Sequence, residues 1–263
     1  MRTAISADGT VIAFDQFGDG PPVIMAAGAF NTRAATEPLA RALQEQFSVL
    51  NYDRRGRGGS GDTLPYAVAR EIEDLAALIT AAGGPASVFG YSSGATLALR
   101  AAAAGLAITH LVLYEPPFRA DDSYPPPPAD LAEQVAGLVA AGRRGDAVEL
   151  YQIEAIGIPE DAVAQMRHAP FRPGLEAIAH TLAYDAAVTG DMCVPTGLLA
   201  SVTAPALVIC GEQSPPILQA AARAVAETLP SGRLCELAGQ AHDINPEATA
   251  PVIAAFLISE PPA

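Results

Sequence analysis

The segment Gly90-Tyr91-Ser92-Ser93-Gly94 decides the fold of this chain. The largely apolar run 86–89 before it has the composition of a buried strand, and the alanine-rich run 95–104 after it favours a helix. A serine flanked by glycines at a strand-to-helix turn is typical of a nucleophile elbow, in which the backbone is strained and the hydroxyl group projects from the sheet. Ser92 is therefore the candidate nucleophile. An ordinary glycine-rich turn is the alternative interpretation.

A serine hydroxyl group needs a neighbouring base to react at neutral pH, and the chain contains four histidines. His242 is the candidate base, because it follows the short strand predicted over 233–237 and precedes the last predicted helix. His110 lies at the entry end of a predicted strand, whereas sites in open α/β sheets lie beyond the carboxyl ends. His168 and His180 fall in a helical middle segment and are interpreted as surface residues.

Strand and helix patterns alternate along the chain, which is typical of a parallel sheet covered by helices on both faces. An initial hairpin is predicted over 3–17, with its turn at Asp8-Gly9. Further strands are predicted near Val23, Val49, Val88, Val112, Val208 and Leu234. Helices are predicted over 33–46, 66–82, 93–104, 216–229 and 246–258. The chain is therefore predicted to be an α/β protein.

The interval 118–199 interrupts this alternation. It contains the proline run 125–128, which cannot donate backbone hydrogen bonds. Helical patterns follow over 129–141, 147–156 and 174–189. We interpret the interval as a helical cap insertion, so that the core consists of residues 1–117 and 200–263. Some apolar residues of the cap are expected to line a substrate pocket, while most form the core of the cap itself.

Four segments together make the chain resemble the α/β-hydrolase superfamily over nearly its whole length. They are the elbow, the turn Asp53-Arg54-Arg55-Gly56-Arg57-Gly58-Gly59-Ser60, the strand that ends in Gly211-Glu212, and the loop Gly239-Gln240-Ala241-His242. Their order along the chain is more specific than any one of them. The resemblance implies an α/β-hydrolase fold with a mostly parallel sheet, helices on both faces and a helical cap. It also implies catalysis by a serine, a histidine and an acid.

The chain departs from the family pattern where the acid is expected. Relatives usually carry an aspartate two residues after the Gly-Glu pair, but this chain has Ser214, which cannot stabilise the imidazolium that forms during the reaction. Glu115 is the candidate acid, because it ends the strand that follows the elbow strand and so reaches the carboxyl edge of the sheet. Bracing of the Pro116-Pro117 turn is its alternative role. Asp243, better suited to the surface or a helix cap, and Glu212, two residues too early, are weaker candidates.

Acyl transfer also needs backbone N–H groups that bind the negative charge developing on a carbonyl oxygen. The elbow supplies one from Ser93, the residue after the nucleophile. The resemblance places the other in the loop after the strand predicted over 22–26, and Ala29 is our assignment there. Ala27 stands where relatives often have a histidine, so one side chain that braces this loop is missing.

The composition restricts the class of partner. A chain of 263 residues is within the size of one α/β domain, and its net charge of −14 opposes binding to nucleic acid. The three cysteines show no metal-binding spacing, and the only basic cluster, Arg54, Arg55 and Arg57, is interpreted as structural bracing. No apolar signal segment or membrane-spanning run is present, so cytoplasmic residence is expected. The oligomeric state is left open.

These patterns predict a serine hydrolase without metal or cofactor that transfers the acyl group of a small, apolar ester to water. Ser92 would attack the carbonyl, His242 would carry the proton, and Glu115 would orient His242. Ser93 and Ala29 would bind the oxyanion. Two alternatives remain open. One is a cofactor-free perhydrolase, similar to bacterial haloperoxidases, that uses the same triad with peroxide. The other is a binding module that kept the elbow and lost the usual acid.

Overall fold

An eight-stranded sheet forms the centre of the molecule in the computed structural model, which describes residues 1–259. The strands are β1 (Arg2–Ile5), β2 (Val11–Phe17), β3 (Pro22–Ala26), β4 (Ser48–Tyr52), β5 (Ala86–Tyr91), β6 (Ile108–Tyr114), β7 (Ala206–Gly211) and β8 (Gly232–Leu237). Their spatial order is β1-β2-β4-β3-β5-β6-β7-β8, and β3 to β8 run parallel. The predicted hairpin of β1 and β2 joins this sheet antiparallel to β4. The α/β prediction is confirmed.

Helices cover both faces of the sheet because its central strands are apolar on both faces. Outside the interval 118–199 the helices are α1 (Glu37–Leu43), α2 (Val68–Ala81), α3 (Ser93–Ala103), α10 (Pro216–Thr228) and α11 (Pro246–Ile258). Successive residues of a strand point to opposite faces, so Val88 packs in the cluster under α2, α3 and α10, and Phe89 packs in the cluster under α1 and α11. The two apolar clusters, one on each face, therefore hold the strands and their carboxyl ends in position.

The segment 118–199, hereafter the insert, lies between β6 and β7 and contains five helices and all but the last residue of a sixth. They are α4 (Leu131–Ala140), α5 (Arg144–Glu154), α6 (Glu160–Gln165), α7 (Arg172–Ala177), α8 (Leu182–Thr189) and α9 (Thr196–Ala200). Helices α4, α5 and α8 bury a third apolar cluster that includes Val135, Val148 and Leu182. The interpretation of the insert as a cap stays a prediction.

Two helices predicted from the sequence are interrupted in the structure. The segment 33–46 forms a single 3₁₀ turn, Arg33–Ala35, before α1 begins at Glu37, since Pro38 suits the first turn of a new helix. The segment 174–189 is divided between α7 and α8 by the 3₁₀ turn Ala179–Thr181. The short helices α6 and α9 were not predicted. Within residues 1–259, no helix combines the length and apolar character needed to cross a membrane.

Candidate active site

The turn between β5 and α3 holds Ser92 in a backbone conformation that few non-glycine residues adopt. Its φ is 54° and its ψ is −121°. A Cβ atom at Gly90 would lie 2.5 Å from Ala95 Cα, and one at Gly94 would overlap the carbonyl oxygen of Ala26. Neither flanking position therefore has room for a side chain. The strained, glycine-flanked turn predicted from the sequence is confirmed.

Ser92 lies beside the loop that follows β3 and faces a cavity. A Cβ atom at Gly28 of this loop would lie 2.9 Å from Ser92 Cβ, so only glycine allows the loop to pass this closely. Ser92 and His242 both line the same cavity. Within residues 1–259, Ser92 Oγ makes no hydrogen bond. Hydrogen bonds between a nucleophile and its base often form fully only when substrate is bound. The hydroxyl group is thus free to meet a ligand.

His242 contacts the carboxylate of Glu115. The loop after β8 carries His242, whose Nδ1 lies 2.5 Å from Glu115 Oε2. Glu115 directly follows β6, has a φ of 47°, and is 0 % exposed. Its other oxygen, Oε1, accepts hydrogen bonds from Ser214 Oγ at 2.5 Å and from the Gly211 N–H group at 2.7 Å. The structure therefore brings together Glu115, His242 and Ser214, the residue at the usual position of the acid.

Hydrogen bonds keep the Glu115 carboxyl ionised despite its burial. Burial alone would raise its pKa, but the contacts with His242, Ser214 and the Gly211 N–H group outweigh that effect and lower the pKa below its usual value. Because Nδ1 of His242 faces this carboxylate, Nε2 is the ring nitrogen left for proton exchange in the cavity. The Tyr91 ring packs against the imidazole with centroids 5.0 Å apart.

Within residues 1–259, the other candidate acids form no hydrogen bond to the imidazole. Asp243 is exposed, and the helix cap of α11 is Asn245, whose side chain accepts from the Glu247 N–H group. Glu212 accepts a hydrogen bond from the Gly239 N–H group at 2.8 Å and so contacts the backbone of the histidine loop. Among the described residues, Glu115 is the carboxylate that hydrogen-bonds to the ring.

The remaining histidines do not line the cavity. His110 packs edge to face on Phe256, and burial lowers its pKa. His168 is exposed, as predicted. His180, in the 3₁₀ turn between α7 and α8, is partly exposed, and its Nδ1 lies 3.1 Å from Arg144 Nη2.

The loop after β3 is braced by an arginine. Ala29 and Ser93, the predicted oxyanion donors, both line the cavity beside Ser92. Arg57 Nη1 donates to the carbonyl oxygen of Gly28 at 2.6 Å and to that of Asn31 at 3.2 Å. These contacts support the loop from which the family's usual histidine is missing. The structural interpretation of the arginine-rich turn is confirmed.

A buried aspartate of the insert, Asp185 in α8, was not predicted. It is 0 % exposed and accepts hydrogen bonds from Arg54 Nη1 at 2.7 Å, Arg57 Nη2 at 2.6 Å and Ser93 Oγ at 2.7 Å. Burial opposes its charge, but the two guanidinium groups outweigh burial and lower its pKa. Arg54 also forms a two-pronged ion pair with Glu71. The one sequence signal is the arginine cluster itself, because arginines that become buried need carboxylate partners.

The cavity has a volume of about 370 Å³ and is mainly apolar. Its larger apolar side chains include Phe30, Phe118, Tyr151, Ile156, Ile217 and Leu218. No Lys, Arg, Asp or Glu of the described chain lines it. Within residues 1–259, His, Cys, Asp and Glu side chains also form no group of three or more that could hold a metal ion. The site can therefore receive a small neutral molecule beside Ser92 and His242.

Comparisons with known proteins find similarity to hydrolases. A family model described as "Alpha/beta hydrolase family" matches residues 23–255. The crystal structure of an alpha/beta hydrolase from Sphaerobacter thermophilus DSM 20745 is 54% identical, with 97% of this chain and 100% of that chain covered and a TM-score of 0.91. A hydrolase structure from Pseudomonas aeruginosa PA01 is 25% identical over 98% of each chain, with a TM-score of 0.76.

A relative from Mesorhizobium japonicum is named 2-(acetamidomethylene)succinate hydrolase. It is 28% identical over 253 residues, which cover 91% of this chain and 89% of the relative. The family model and the Sphaerobacter structure each match most of the chain, and these relatives are named as hydrolases. The chain belongs to the alpha/beta hydrolase family and is a hydrolase.

Proposed function

We propose that the protein is a serine hydrolase that acts by acyl transfer on a small, apolar ester. One observation carries the proposal. Ser92, at a positive φ and with a free Oγ, shares a cavity with His242, whose Nδ1 contacts the buried carboxylate of Glu115. These are the nucleophile, base and acid of a hydrolytic triad, with the acid at the end of β6.

In the proposed reaction Ser92 Oγ attacks the ester carbonyl carbon and passes its proton to His242 Nε2. The N–H groups of Ala29 and Ser93 stabilise the oxyanion of the tetrahedral intermediate. The intermediate collapses as His242 returns the proton to the departing alcohol. Water then attacks the acyl-enzyme with His242 as base, which releases the acid and restores Ser92. Glu115 stays ionised throughout, in keeping with its lowered pKa, and stabilises the imidazolium.

The lining of the cavity favours a neutral substrate. The Mesorhizobium relative is named for a succinate, which carries two carboxylates. Burying such charges without cationic partners is costly, and no Lys or Arg of the described chain lines this cavity. Its volume lies near the lower end of the range for small-molecule sites. A short, uncharged acyl group therefore fits the site better than a dicarboxylate.

Covalent labelling tests the nucleophile. A fluorophosphonate probe should modify the wild-type protein at Ser92, as located by peptide mass spectrometry, and should not modify Ser92→Ala. Wild-type protein that takes up no label would contradict the proposal and favour a binding module.

Paired substrates test the acyl group. Hydrolysis of p-nitrophenyl butyrate should exceed that of the p-nitrophenyl monoester of succinic acid by at least about tenfold in kcat/KM, since the second substrate must bury a charge. Equal rates would contradict the neutral-substrate assignment. Peracid formation from acetate and hydrogen peroxide at a higher rate than ester hydrolysis would favour the perhydrolase alternative.

A further inference from the structure

Asp185 lies at the point where the insert contacts the catalytic elbow. Its carboxylate, on α8, is fully buried and receives hydrogen bonds from three side chains: Arg54, Arg57 and Ser93. All three donors lie outside the insert, two in the turn after β4 and one at the start of α3. The bond from Ser93 is direct, because Ser93 Oγ lies 2.7 Å from Asp185 Oδ1. A residue of the insert therefore contacts the side chain of a proposed oxyanion donor.

The two arginines extend this contact to the other half of the oxyanion hole. Arg57 donates to the carbonyl oxygens of Gly28 and Asn31, which flank the second proposed donor, Ala29. Arg54 Nη1 reaches the carbonyl oxygen of Ala27 at 3.4 Å. One carboxylate thus connects to both backbone segments that would bind the oxyanion.

Asp185 is a more important ion-pair partner for Arg57 than for Arg54. Arg54 retains a second carboxylate partner, Glu71, through two bonds of 2.7 Å. Within residues 1–259, Asp185 is the carboxylate that pairs with Arg57, and Arg57 Nε has no hydrogen-bond partner. Loss of the Asp185 charge would leave the Arg57 guanidinium buried and unpaired. Its hold on Gly28 and Asn31 would then weaken.

We propose that Asp185 is a positioning residue that sets the geometry of the oxyanion hole from the insert. The inference rests on the proposed serine-hydrolase function. The insert then does more than line the cavity, because the position of α8 fixes the N–H groups of Ser93 and Ala29. Misaligned donors weaken binding of the transition state and leave binding of the ester itself nearly unchanged.

The variant Asp185→Asn tests this role, since it keeps the shape of the side chain and removes its charge. Removal of one oxyanion donor costs roughly 10²- to 10³-fold in kcat, and displacement of donors should cost about 10- to 100-fold. We expect kcat for p-nitrophenyl butyrate to fall by that factor while KM changes less than about threefold. Affinity for a phenylboronic acid, which mimics the tetrahedral intermediate, should fall in parallel with kcat/KM.

Asp74→Asn is the matched control. Asp74 is buried on α2 and forms a two-pronged ion pair with Arg55, and within residues 1–259 neither side chain hydrogen-bonds to the loop after β3 or to the elbow. This variant should lose stability while its kcat and its affinity for the boronic acid stay within about twofold of wild type, because the oxyanion donors keep their supports. A similar kinetic loss in Asp74→Asn would overturn the proposal, since it would reduce the effect of Asp185 to general destabilisation.

Ser93→Ala supplies a second, milder test. It removes the hydroxyl bonded to Asp185 and keeps the backbone N–H group, so kcat should fall several-fold at constant KM. Folded Asp185→Asn with wild-type kcat and wild-type affinity for the boronic acid would overturn the proposal. Should Asp185→Asn fail to fold, wild-type kinetics in Ser93→Ala would overturn it instead. Wild-type protein that neither reacts with fluorophosphonate nor hydrolyses esters would overturn the serine-hydrolase function itself, and the inference with it.

Discussion

Glu115 and Asp185 are both carboxylates with no exposed surface, but they serve two differently built regions of the site. Glu115, at the end of β6, is hydrogen-bonded by an imidazole, a hydroxyl and a backbone N–H group. Asp185, on α8, is paired with two arginines. An imidazole can gain and lose a proton near neutral pH, whereas a guanidinium is permanently charged. The first region therefore contains a group that can change its charge near neutral pH, whereas the charges of the second region are fixed.

The largest losses of activity are expected from substitutions of Ser92 and His242, which lie in the first region. Ser92→Ala and His242→Ala should each lower kcat by on the order of 10⁶-fold, and the double variant should be scarcely worse, because the two residues act as one unit. A p-nitrophenyl ester assay, with circular dichroism to check the fold, measures this. His168→Ala and His180→Ala are the controls and should keep most activity. A comparable loss in either control would reassign the base.

The same acid-to-amide substitution should affect activity and stability differently in the two regions. Glu115→Gln removes the charge beside the imidazole and should lower kcat by about 10⁴-fold, as such a change does in a serine protease triad. Its thermal midpoint should change little, because the neutral imidazole can accept an amide neighbour. Asp243→Asn is the control and should stay within roughly tenfold of wild type. Unchanged turnover in Glu115→Gln would leave Glu115 as a bracing residue and transfer the role to Asp243 or to a dyad.

Compared with Glu115→Gln, Asp185→Asn should lose less kcat and more stability. Breaking a buried ion pair from one side costs about 3–5 kcal/mol, because the remaining charge is left without a partner. Urea unfolding followed by circular dichroism measures the change in the free energy of unfolding. A stability loss in Glu115→Gln as large as that in Asp185→Asn would remove the distinction between the two regions.

Acid unfolding provides an independent check of the same distinction. The pKa of Asp185 is lowered in the folded state from a usual value of 3.8, so its stabilisation is present above that pH and is lost as pH falls through the lowered pKa. Glu71, the second partner of Arg54, also has a lowered pKa. Below about pH 4 the wild-type protein should therefore lose stability more steeply than Asp185→Asn. If the free energy of unfolding fell equally with pH in the two proteins, the assignment of Asp185 as an ion-paired carboxylate would be contradicted.

The smallest effect is expected at Ser214. Ser214→Ala removes one of the hydrogen bonds to Glu115 and leaves the bonds from Gly211 and His242, so activity should stay within roughly tenfold of wild type. Ser214→Asp in the Glu115→Gln background should restore part of the lost rate, because Ser214 lies beside the carboxylate that contacts the ring. No recovery in a folded double variant would show that the two positions reach different edges of the imidazole.

The local features of the site could be predicted because each is encoded within a few residues. Glycines around Ser92 indicate a tight turn, and the position of Glu115 directly after an apolar strand indicates the carboxyl edge of the sheet. The contact between Glu115 and His242 depends on the order β6-β7-β8, which the structure gives, while the alternating pattern predicts only that the strands are parallel. The roles of these residues in catalysis stay predictions.

Asp185 escaped prediction because its partners are distant in the sequence. Arg54 lies 131 residues away, and an aspartate within a helical pattern resembles any solvated helix residue. The 3₁₀ turn Ala179–Thr181 separates α8 from α7. The sequence pattern over 174–189 predicts one continuous helix and gives no sign of this turn. Pairing between such remote residues is decided by tertiary packing, which the periodicity of one segment does not record.

The proposed position of the acid directly after β6 has a consequence for the segment that follows β7. In the family pattern the acid belongs to the loop after β7, and here the end of that loop contributes Pro215 to the cavity while the first turn of α10 contributes Ile217 and Leu218. With Glu115 as the proposed acid, the residues next to position 214 no longer have to hold a catalytic aspartate in place. Directed evolution at positions 215, 217 and 218 should therefore yield libraries in which selectivity for acyl chain length diversifies while most members stay active.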